Sequence, residues 1–554
     1  RNKHLSDRGT IFVQGTNLEQ FVSYAELYED VLKTLGTLQK EGIPTGSEIV
    51  FQVDDNRQFI TLFWACILGK LIPTPLAVGN QKGHKEKFLK VWDCLDNPYL
   101  IGDEKNINQI LQFVSDEANG SVFSIIEDRT YDINEILRGD SFGTPLPIEP
   151  EDIAFIQFSS GSTGDPKGVI IKHSNAVAHA EALTNSAENT TDDVAISWMP
   201  LSHDMGLICI YLKNFTAQMN LCLIPTPLFI RRPLLWIDKA SEYKATELFS
   251  PNFGFQYCMS AIREGESYNW DLSRVRMIYN GAEPISKQLC DEFAEKFSVF
   301  NLHQHAIMPV YGLAEATVGV TSSRFLEEIV SYTVDRNQIN PGDEIKIIED
   351  PDDPEQITFV DVGYMLDRCQ SRICDDQDQP LADKVIGHIQ ITGDNVTSGY
   401  YNNPIATQQL FTADGWVRTG DLGFRVKDRL VITGRQKNII IINGQNFYPQ
   451  DIEQTVIDRI PEIELGKIVA ISAPDEANKE EKLVILVLFK KPVAQFCLLV
   501  EKIKEIIFDR LRIVVDSVIP IRKVPKTTSG KVQHFQLRQQ FLAAVVYSVL
   551  TKPE

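Results

Sequence analysis

The chain has 554 residues, of which 43% are hydrophobic and 23% are charged, and its net charge is −21. This composition is typical of a globular protein, and the length suffices for about three to four domain-sized units. The acidic balance argues against nucleic acid as a partner, because binding to its backbone requires concentrated positive charge. No apolar stretch reaches the ~18 residues that a membrane-spanning helix needs, so no stable membrane span is expected.

The nine cysteines are scattered along the chain, and no two of them form a CxxC pair. A structural zinc site is therefore not expected. Small buried thiols are typical of proteins in a reducing compartment, and no signal peptide is visible at the start of the sequence. These features predict a cytoplasmic protein.

Helix-like and strand-like segments alternate over the first 150 residues. Apolar residues at helical spacing predict a helix over Tyr24–Leu38, a strand is predicted at Glu48–Val53, and a buried helix at Phe59–Gly69. The same alternation continues from Asp152 to Val360. This pattern favours an α/β fold of layered sheets with crossover helices.

The pattern changes in the second half of the chain. A polar excursion at about 324–354 precedes short strands and turns over about 361–434, which predict a small β subdomain. Beyond Gly434 the chain shows a compact α+β pattern, so we predict a large N-terminal domain over 1–434 and a small mobile C-terminal domain over 435–554. Within the small domain we predict strands at Asn438–Ile442, Lys467–Ile471, Leu483–Phe489 and Val518–Ile521, and helices at Pro449–Ile460 and Phe496–Leu511.

The sharpest local signal is a strand, Ile153–Phe158, followed by a loop of glycines, hydroxyls and one lysine that ends at Gly168. Glycine lets backbone N–H groups converge on an anion, and serine and threonine add donors, so the loop favours phosphate binding. It is not a Walker A loop, because its lysine lies between Pro166 and Gly168. The candidate phosphate-binding residues are Ser160, Gly161, Ser162, Thr163, Gly164 and Lys167.

Six further segments place polar or charged residues beside short strands and turns. Each of these residues taken alone has an ordinary structural explanation, such as a core tyrosine or a solvated surface cation. Their common order along the chain is the more specific signal. The segments are Trp198–Leu207, Met277–Pro284, Pro309–Ala316, Arg418–Gly423, Val431–Asn438 and Pro525–Val532.

In this order and at this spacing, these segments resemble the core motifs of the adenylate-forming superfamily. That superfamily contains acyl-CoA synthetases, luciferases and peptide-synthetase adenylation domains, and the resemblance covers nearly all of the chain. Three runs are similar to the fatty acyl-AMP ligase branch: His203–Leu207 (HDMGL), Ser250–Phe253 (SPNF) and Asn443–Glu453 (NGQNFYPQDIE). The polar excursion at 324–354 also lies where that branch carries an extra segment.

The resemblance implies a reaction in two steps. A carboxylate attacks the α-phosphate of ATP, pyrophosphate leaves, and the acyl group of the acyl-adenylate then passes to a thiol. Charge develops on phosphoryl oxygens, so catalysis should be mainly electrostatic and positional. The implied substrate is a medium- or long-chain fatty acid, and the implied acceptor is the phosphopantetheine thiol of an acyl-carrier protein, separate or fused. The implied cofactors are ATP and Mg²⁺.

The same resemblance assigns roles to residues of this chain. Lys531 would bridge the acyl carboxylate and the α-phosphate, Glu315 would help to hold Mg²⁺, and His203 would wall the entrance for the acyl carboxylate. The remaining assignments are Thr163 to Mg²⁺; Gly281, Ala282, Glu283 and Tyr311 to adenine; Gly312 and Leu313 to ATP; Asp421 to ribose; Arg435 to ribose or the α-phosphate; Met205, Ile208, Asn252 and Ile278 to the acyl pocket; and Lys437 to the hinge between the domains.

Three alternatives stay open from the sequence. An acyl-CoA ligase would differ only in its thiol acceptor. An amino-acid adenylation domain remains possible because Asp204 lies where such relatives bind the substrate ammonium, although His203 and Gly206 favour a fatty acid. A nucleotide-binding domain without catalysis is disfavoured by the presence of Lys531, Glu315 and the full phosphate loop.

Overall fold

The structure is a computed structural model. It describes residues 2–79, 82–117, 120–159, 165–263, 265–350, 353, 355–442, 445–475, 480–492, 495–527 and 531–550. Within those ranges, none of the helices combines the length and the apolar character that a bilayer crossing requires.

The N-terminal part of the chain contains a four-stranded parallel sheet in the order β4-β3-β5-β6. Its first helix begins where Ser23 and Glu26 form a capping box, which satisfies backbone donors that the first turn leaves free. The elements are β1 (Gly9–Gly15), β2 (Leu18–Ser23), α1 (Tyr24–Lys40), β3 (Glu48–Gln52), α2 (Asn56–Leu68), β4 (Ile72–Pro75), α3 (Lys82–Cys94), β5 (Tyr99–Gly102), α4 (Glu104–Glu117), α5 (Gly120–Asp128), β6 (Thr130–Asp132) and α6 (Ile133–Leu137).

The middle of the chain builds most of a large sheet, whose parallel strands follow the order β1-β10-β9-β11-β12-β13. The elements are β7 (Ile153–Ser159), β8 (Lys167–Lys172), α7 (His173–Ser186), β9 (Val194–Ser197), a π-helical segment (Met205–Leu212), α8 (Lys213–Ala217), β10 (Asn220–Leu223), α9 (Thr226–Arg231), α10 (Leu234–Glu242), β11 (Glu247–Phe249), α11 (Asn252–Ala261), β12 (Met277–Asn280), α12 (Lys287–Ser298), β13 (Ile307–Leu313) and β14 (Val318–Ser322).

The large sheet continues beyond β13 as an antiparallel layer in the order β14-β16-β20-β19-β18-β17. The polar excursion contributes β15, which pairs with β16, and its residues Val334, Ile339 and Ile345 are buried. The elements are β15 (Ser331–Asp335), β16 (Gln356–Met365), β17 (Cys369–Cys374), β18 (Gly387–Gly393), α13 (Pro404–Leu410), β19 (Val417–Val426) and β20 (Arg429–Arg435).

The last part of the chain forms a three-stranded sheet in the order β23-β24-β25. Most of its buried apolar residues lie in two clusters that contain only residues from Ile440 onwards, while Tyr448 packs with the excursion. The elements are β21 (Ile440–Ile442), β22 (Gln445–Phe447), α14 (Pro449–Ile457), β23 (Ile468–Asp475), β24 (Glu480–Leu488), α15 (Phe496–Leu511), β25 (Val515–Ile521) and α16 (His534–Leu550).

The predicted fold class is confirmed: the chain has a large N-terminal part of layered α/β sheets with a β layer and a small α+β C-terminal part. Asp421 lies inside strand β19 and not in a turn. The Thr-Gly-Asp sequence is typical of turns. Here, however, Asp421 pairs directly with Arg435 on β20, and this cross-strand pairing keeps the backbone extended.

Candidate active site

The candidate site lies where the parallel strands of the large sheet end. Strands β9, β11 and β12 run parallel, so their carboxyl ends lie at one edge, and each is followed by one of the predicted segments. In open α/β sheets, ligands bind in the crevice outside this edge. The predicted segments after these strands contain His203, Asn252 and Glu283, and β13 beside them carries Tyr311.

Asp421 is held by two partners from different strands. Its Oδ1 lies 2.8 Å from Nε of Arg435, and its Oδ2 accepts a hydrogen bond of 2.6 Å from the Tyr311 hydroxyl. Burial and the neighbouring Asp421 charge raise the pKa of Tyr311 well above its usual value, so the tyrosine remains a donor. A carboxylate fixed from both sides presents its remaining lone pairs in one direction, as recognition of a diol requires.

The backbone beside Tyr311 and Glu283 is unusually close-packed. At Gly312 the pairing of β13 and β14 is irregular, and a Cβ atom there would lie 1.7 Å from the carbonyl oxygen of Val318. Ala282 adopts a left-handed backbone with φ of 72°. Such conformations are disfavoured for residues other than glycine and persist where the surrounding structure holds them, often at functional sites.

His203 and Asp204 form a contact pair at the start of the π-helical segment. His203 Nδ1 lies 2.7 Å from Asp204 Oδ1, which also accepts a hydrogen bond of 2.7 Å from the backbone N–H of Met205. Burial alone would raise the pKa of Asp204, but the charges of His203 and Lys531 hold it at about 2. Asp204 is therefore ionised and lies within reach of the Lys531 charge.

Glu315 is fixed by a residue that the sequence did not reveal. The hydroxyl of Tyr400 donates a hydrogen bond of 2.7 Å to Glu315 Oε1, and the ring of Tyr400 lies 4.8 Å from Nζ of Lys167. Tyr400 therefore brings the lysine that ends the phosphate loop close to the predicted Mg²⁺ ligand. In the sequence, the neighbouring Gly399 is the signal that could have drawn attention to Tyr400. In the structure, the φ of 137° at Gly399 marks a turn that only glycine adopts readily.

Lys531 reaches the site from the C-terminal part of the chain. Burial lowers the pKa of Lys531, and its charge interacts with Asp204, Arg435, Glu283 and Asp421. These four residues come from four separate predicted segments, so the structure brings the last predicted motif together with the earlier ones.

Two buried oxygen atoms at the site have no hydrogen-bond partner among the described residues: Glu283 Oε1 and Asn252 Oδ1. The Nδ2 group of Asn252 donates to the carbonyl of Pro284 at 2.7 Å, which leaves its oxygen unpaired. Burial raises the pKa of Glu283 to about 6, although Lys531 opposes this shift. Unpaired buried acceptors are costly, and they fit a site that a ligand completes.

The predicted acyl-pocket residues lie on different elements of the structure. Met205 and Ile208 are buried in the π-helical segment, and Lys213 directly continues that helix. The Tyr279 hydroxyl lies 3.3 Å from Lys213 Nζ, so Tyr279 faces this helix. Because successive strand residues point to opposite faces, the neighbouring Ile278 faces the other side of the sheet. The assignment of Ile278 to the acyl pocket stays a prediction.

A buried ion pair lies beside the same helix and was not expected from the sequence. Lys213 Nζ lies 2.5 Å from Glu247 Oε2, and both side chains are fully buried. The rings of Phe249 and Tyr279 stack at 4.9 Å, with the lysine ammonium 4.8 Å from the Tyr279 ring. Buried ions require such partners, and no local sequence pattern pairs residues 34 positions apart.

Two other predicted groups have different outcomes. Ser160, Gly161, Ser162, Thr163 and Gly164 lie outside the described residues, so only Lys167 at the end of that loop is described. Lys437 lies in a short exposed 3₁₀ turn between β20 and β21. Its place between the two parts of the chain matches what the hinge prediction requires.

The comparisons with known proteins agree with this geometry. A medium-chain-fatty-acid–[acyl-carrier-protein] ligase of Moorena producens, JamA, is 31% identical over 94% of this chain and 90% of its own. A provisionally named acyl-CoA synthetase of Caulobacter vibrioides is 30% identical over 95% and 91% of the two chains. A solved structure from work on fatty acyl-adenylate ligases of E. coli and L. pneumophila has a TM-score of 0.88 at 26% identity, over 98% and 96% of the chains.

A family model decides the assignment. The family described as AMP-binding enzyme matches residues 5–401, which covers well over half of the chain. The resemblance to adenylate-forming enzymes drawn from the motifs is thereby confirmed. The chain belongs to the AMP-binding enzyme family.

Proposed function

We propose that the protein is a fatty acyl-AMP ligase. It activates a medium- or long-chain fatty acid with ATP, releases pyrophosphate, and passes the acyl group to the phosphopantetheine thiol of an acyl-carrier protein. The observation that carries the proposal is the position of Lys531, whose charge interacts with Asp204, Glu283, Asp421 and Arg435. The similar ligases and the solved acyl-adenylate ligase support the same reaction.

The chemistry follows from where charge develops. When the fatty carboxylate attacks the α-phosphate, negative charge shifts onto the phosphoryl oxygens and the departing pyrophosphate. Lys531 supplies a compact positive charge near the attacking carboxylate, and Lys167 supplies one for the departing phosphates. Asp421 orients the ribose through its hydroxyls, with Tyr311 and Arg435 holding the carboxylate. The buried oxygen of Glu283 is an acceptor for a donor of the bound nucleotide, and Asn252 lines the acyl pocket.

Mg²⁺ fits the donors at this site. Magnesium keeps several waters and is usually held by one or two carboxylates together with substrate phosphates. Glu315 offers one such carboxylate, fixed by Tyr400 and near Lys167. Glu315 would hold the ion, with the predicted Thr163 as a second ligand. The ion would neutralise charge on the phosphates of bound ATP.

The amino-acid alternative is weakened by the surroundings of Asp204. An aspartate that binds a substrate ammonium needs an open, uncompensated charge. Asp204 instead contacts His203 at 2.7 Å and interacts with the Lys531 charge. The acyl-CoA alternative differs only in the acceptor, and the relatives include proteins named for either acceptor.

We also place the protein in the cytoplasm. Seven cysteines are buried as free thiols, which fits a reducing compartment. These are Cys66, Cys209, Cys222, Cys258, Cys290, Cys369 and Cys374.

The direct test is pyrophosphate release with ATP and dodecanoate. Release that depends on the fatty acid supports the ligase and excludes a domain that only binds nucleotide. A panel of amino acids, added in place of the fatty acid, tests the amino-acid alternative. Thioester formation is then compared between coenzyme A and a phosphopantetheinylated carrier protein.

Asp421→Asn should raise KM for ATP by about 10- to 100-fold, because hydrogen bonds to a charged group contribute about 1.5–3 kcal/mol. The rate at saturating ATP should change much less. Initial rates of pyrophosphate release against ATP concentration measure both values. Asp414→Asn is the matched control, since Asp414 pairs with Arg372 elsewhere in the β layer. An unchanged KM in Asp421→Asn would contradict the ribose assignment.

Lys437→Pro should slow acyl transfer by about tenfold or more if the turn rotates between the half-reactions, because hinge residues must absorb large dihedral changes. Lys437→Ala serves as control, because it removes the same side chain without restricting φ. Acyl-AMP formation and acyl transfer are measured separately by quenched-flow assays. If both steps are unchanged in Lys437→Pro, the hinge assignment is wrong.

A further inference from the structure

Helix α14 carries two carboxylates that face different parts of the molecule. Asp451 and Glu453 are two residues apart, which places them on nearly opposite sides of the helix. Asp451 binds Arg336 of the excursion through two contacts of 2.8 and 3.0 Å. Glu453 faces the C-terminal sheet, where its Oε1 accepts a hydrogen bond of 2.9 Å from the backbone N–H of Ala470.

Glu453 also binds the residue that begins α16. His534 Nε2 lies 2.9 Å from the same Glu453 Oε1, and 25% of the His534 side chain and 12% of the Glu453 side chain are exposed. His534 lies two residues after Val532, which directly follows Lys531. Burial would lower the pKa of His534, but Glu453 and Val532 together raise it above its usual value. The raised pKa favours the protonated ring, which pairs with the Glu453 carboxylate.

Described backbone bonds join the residues on either side of 528–530 in the segment that carries Lys531. The backbone N–H of Thr527 donates to the Lys531 carbonyl at 2.8 Å, and the Lys531 N–H donates to the Thr527 hydroxyl at 3.1 Å. Lys526 and Val532 form an isolated β-bridge, and Gln533 donates to the Pro525 carbonyl at 3.0 Å. These bonds join the two ends of the segment to each other and do not themselves tie it to the C-terminal sheet.

We propose that Glu453 and His534 are positioning residues for Lys531. The pair anchors the segment that carries Lys531 to α14 and to the backbone of β23. The anchor fixes the direction of the lysine ammonium toward the site, in addition to keeping it near the site. Apolar packing of Val532 against Leu537 and neighbouring residues helps to hold the loop but has little directional preference. This inference rests on the proposed function, which places the role of Lys531 in acyl-AMP formation.

The proposal predicts a loss confined to one step. A displacement of about 1 Å at a reacting centre can lower a rate by about 10²-fold, so Glu453→Ala and His534→Ala should slow acyl-AMP formation by about 10- to 100-fold. The KM for ATP should change by no more than about threefold, because neither side chain contacts the site. Transfer of the acyl group from supplied acyl-AMP to the thiol acceptor should be unchanged, since that step does not require Lys531.

The experiment measures both half-reactions in the full chain, in the wild type and in each variant. Glu481→Ala is the matched control, because Glu481 binds Arg538 of α16 at 3.1 Å and, among the described residues, has no bond to 525–527 or 531–533. Glu453→Gln, which keeps an acceptor oxygen, should recover most of the rate and serves if Glu453→Ala does not fold. In a Lys531→Ala background, Glu453→Ala should cause no additional loss of acyl-AMP formation.

Three results would overturn the positioning role: an unchanged rate of acyl-AMP formation in both alanine variants, an equal loss in acyl transfer, or an additional loss in the Lys531→Ala background. Each of them leaves the proposed function standing, because the wild type is active in all three. A wild type that forms no acyl-AMP with any fatty acid contradicts the proposed function, and the positioning role falls with it.

Discussion

Lys531→Ala should lower the rate of acyl-AMP formation by about 10²–10³-fold, which is the usual cost of removing one positioned charge that stabilises a transition state. The lysine is the cation that the C-terminal part of the chain brings toward Asp204, Glu283 and Asp421. Loss of the lysine also leaves the negative charges of these acids less compensated. Their repulsion would further disfavour the approach of the fatty-acid carboxylate. Single-turnover formation of acyl-AMP measures the effect.

Two controls separate this effect from a general loss of activity. ATP binding, followed by equilibrium titration, should remain, because Asp421, Tyr311 and Lys167 are untouched. Lys523→Ala removes an exposed cation of the same segment and should leave the rate unchanged. Normal acyl-AMP formation by Lys531→Ala would contradict the catalytic assignment and with it the observation on which the proposed function rests.

The elements with strong local signals were predictable from the sequence. Helix α15 spans the predicted Phe496–Leu511, because its buried residues Ile503, Ile507 and Leu511 repeat at helical spacing. Strand β25 begins at Val515 and not at the predicted Val518, and α14 ends at Ile457, three residues earlier than predicted. Ends of elements depend on pairing and capping, which a local apolar pattern does not contain.

The contacts that arrange the site were not predictable. The order of the motifs predicted that Tyr311, Asp421 and Lys531 belong to one site. It did not predict the Tyr311–Asp421 hydrogen bond, which joins residues 110 positions apart. The Arg336–Asp451 pair spans 115 positions, and the His534–Glu453 pair spans 81. Such pairs follow from strand register and domain packing. In a single sequence, each partner therefore resembles an ordinary core tyrosine or surface charge.

The acceptor of the acyl group should depend on how the excursion holds α14. The two contacts between Arg336 and Asp451 are bidentate, and both side chains are only 9% exposed. Tyr448, just before α14, packs with Val334 and Ile339 of the excursion. A C-terminal domain that rotates to admit coenzyme A would break these contacts. The excursion therefore favours the observed arrangement over a rotated one, and a gap of a few kcal/mol leaves the rotated state scarcely populated.

Deleting residues 324–354 would test this idea, but the deletion would also open the apolar cluster around Val334, Ile339 and Ile345. Substituting the ion pair is a sharper test. Breaking a buried pair by removing one partner costs about 3–5 kcal/mol, so the double variant Arg336→Ala with Asp451→Ala avoids an orphaned charge.

In the double variant, acyl-CoA formation should rise about tenfold or more. Every 1.4 kcal/mol removed from the free-energy difference between the observed and the rotated arrangement raises the population of the rotated arrangement about tenfold. Formation of acyl-AMP should stay within about threefold of the wild type, because neither residue touches the nucleotide site. Lys346→Ala is the matched control, since Lys346 pairs with Asp335 within the excursion and does not reach α14. Thioester formation with coenzyme A and with a phosphopantetheinylated carrier protein is measured side by side. Efficient acyl-CoA synthesis by the intact protein would contradict the carrier-protein acceptor and leave only the assignment to the family.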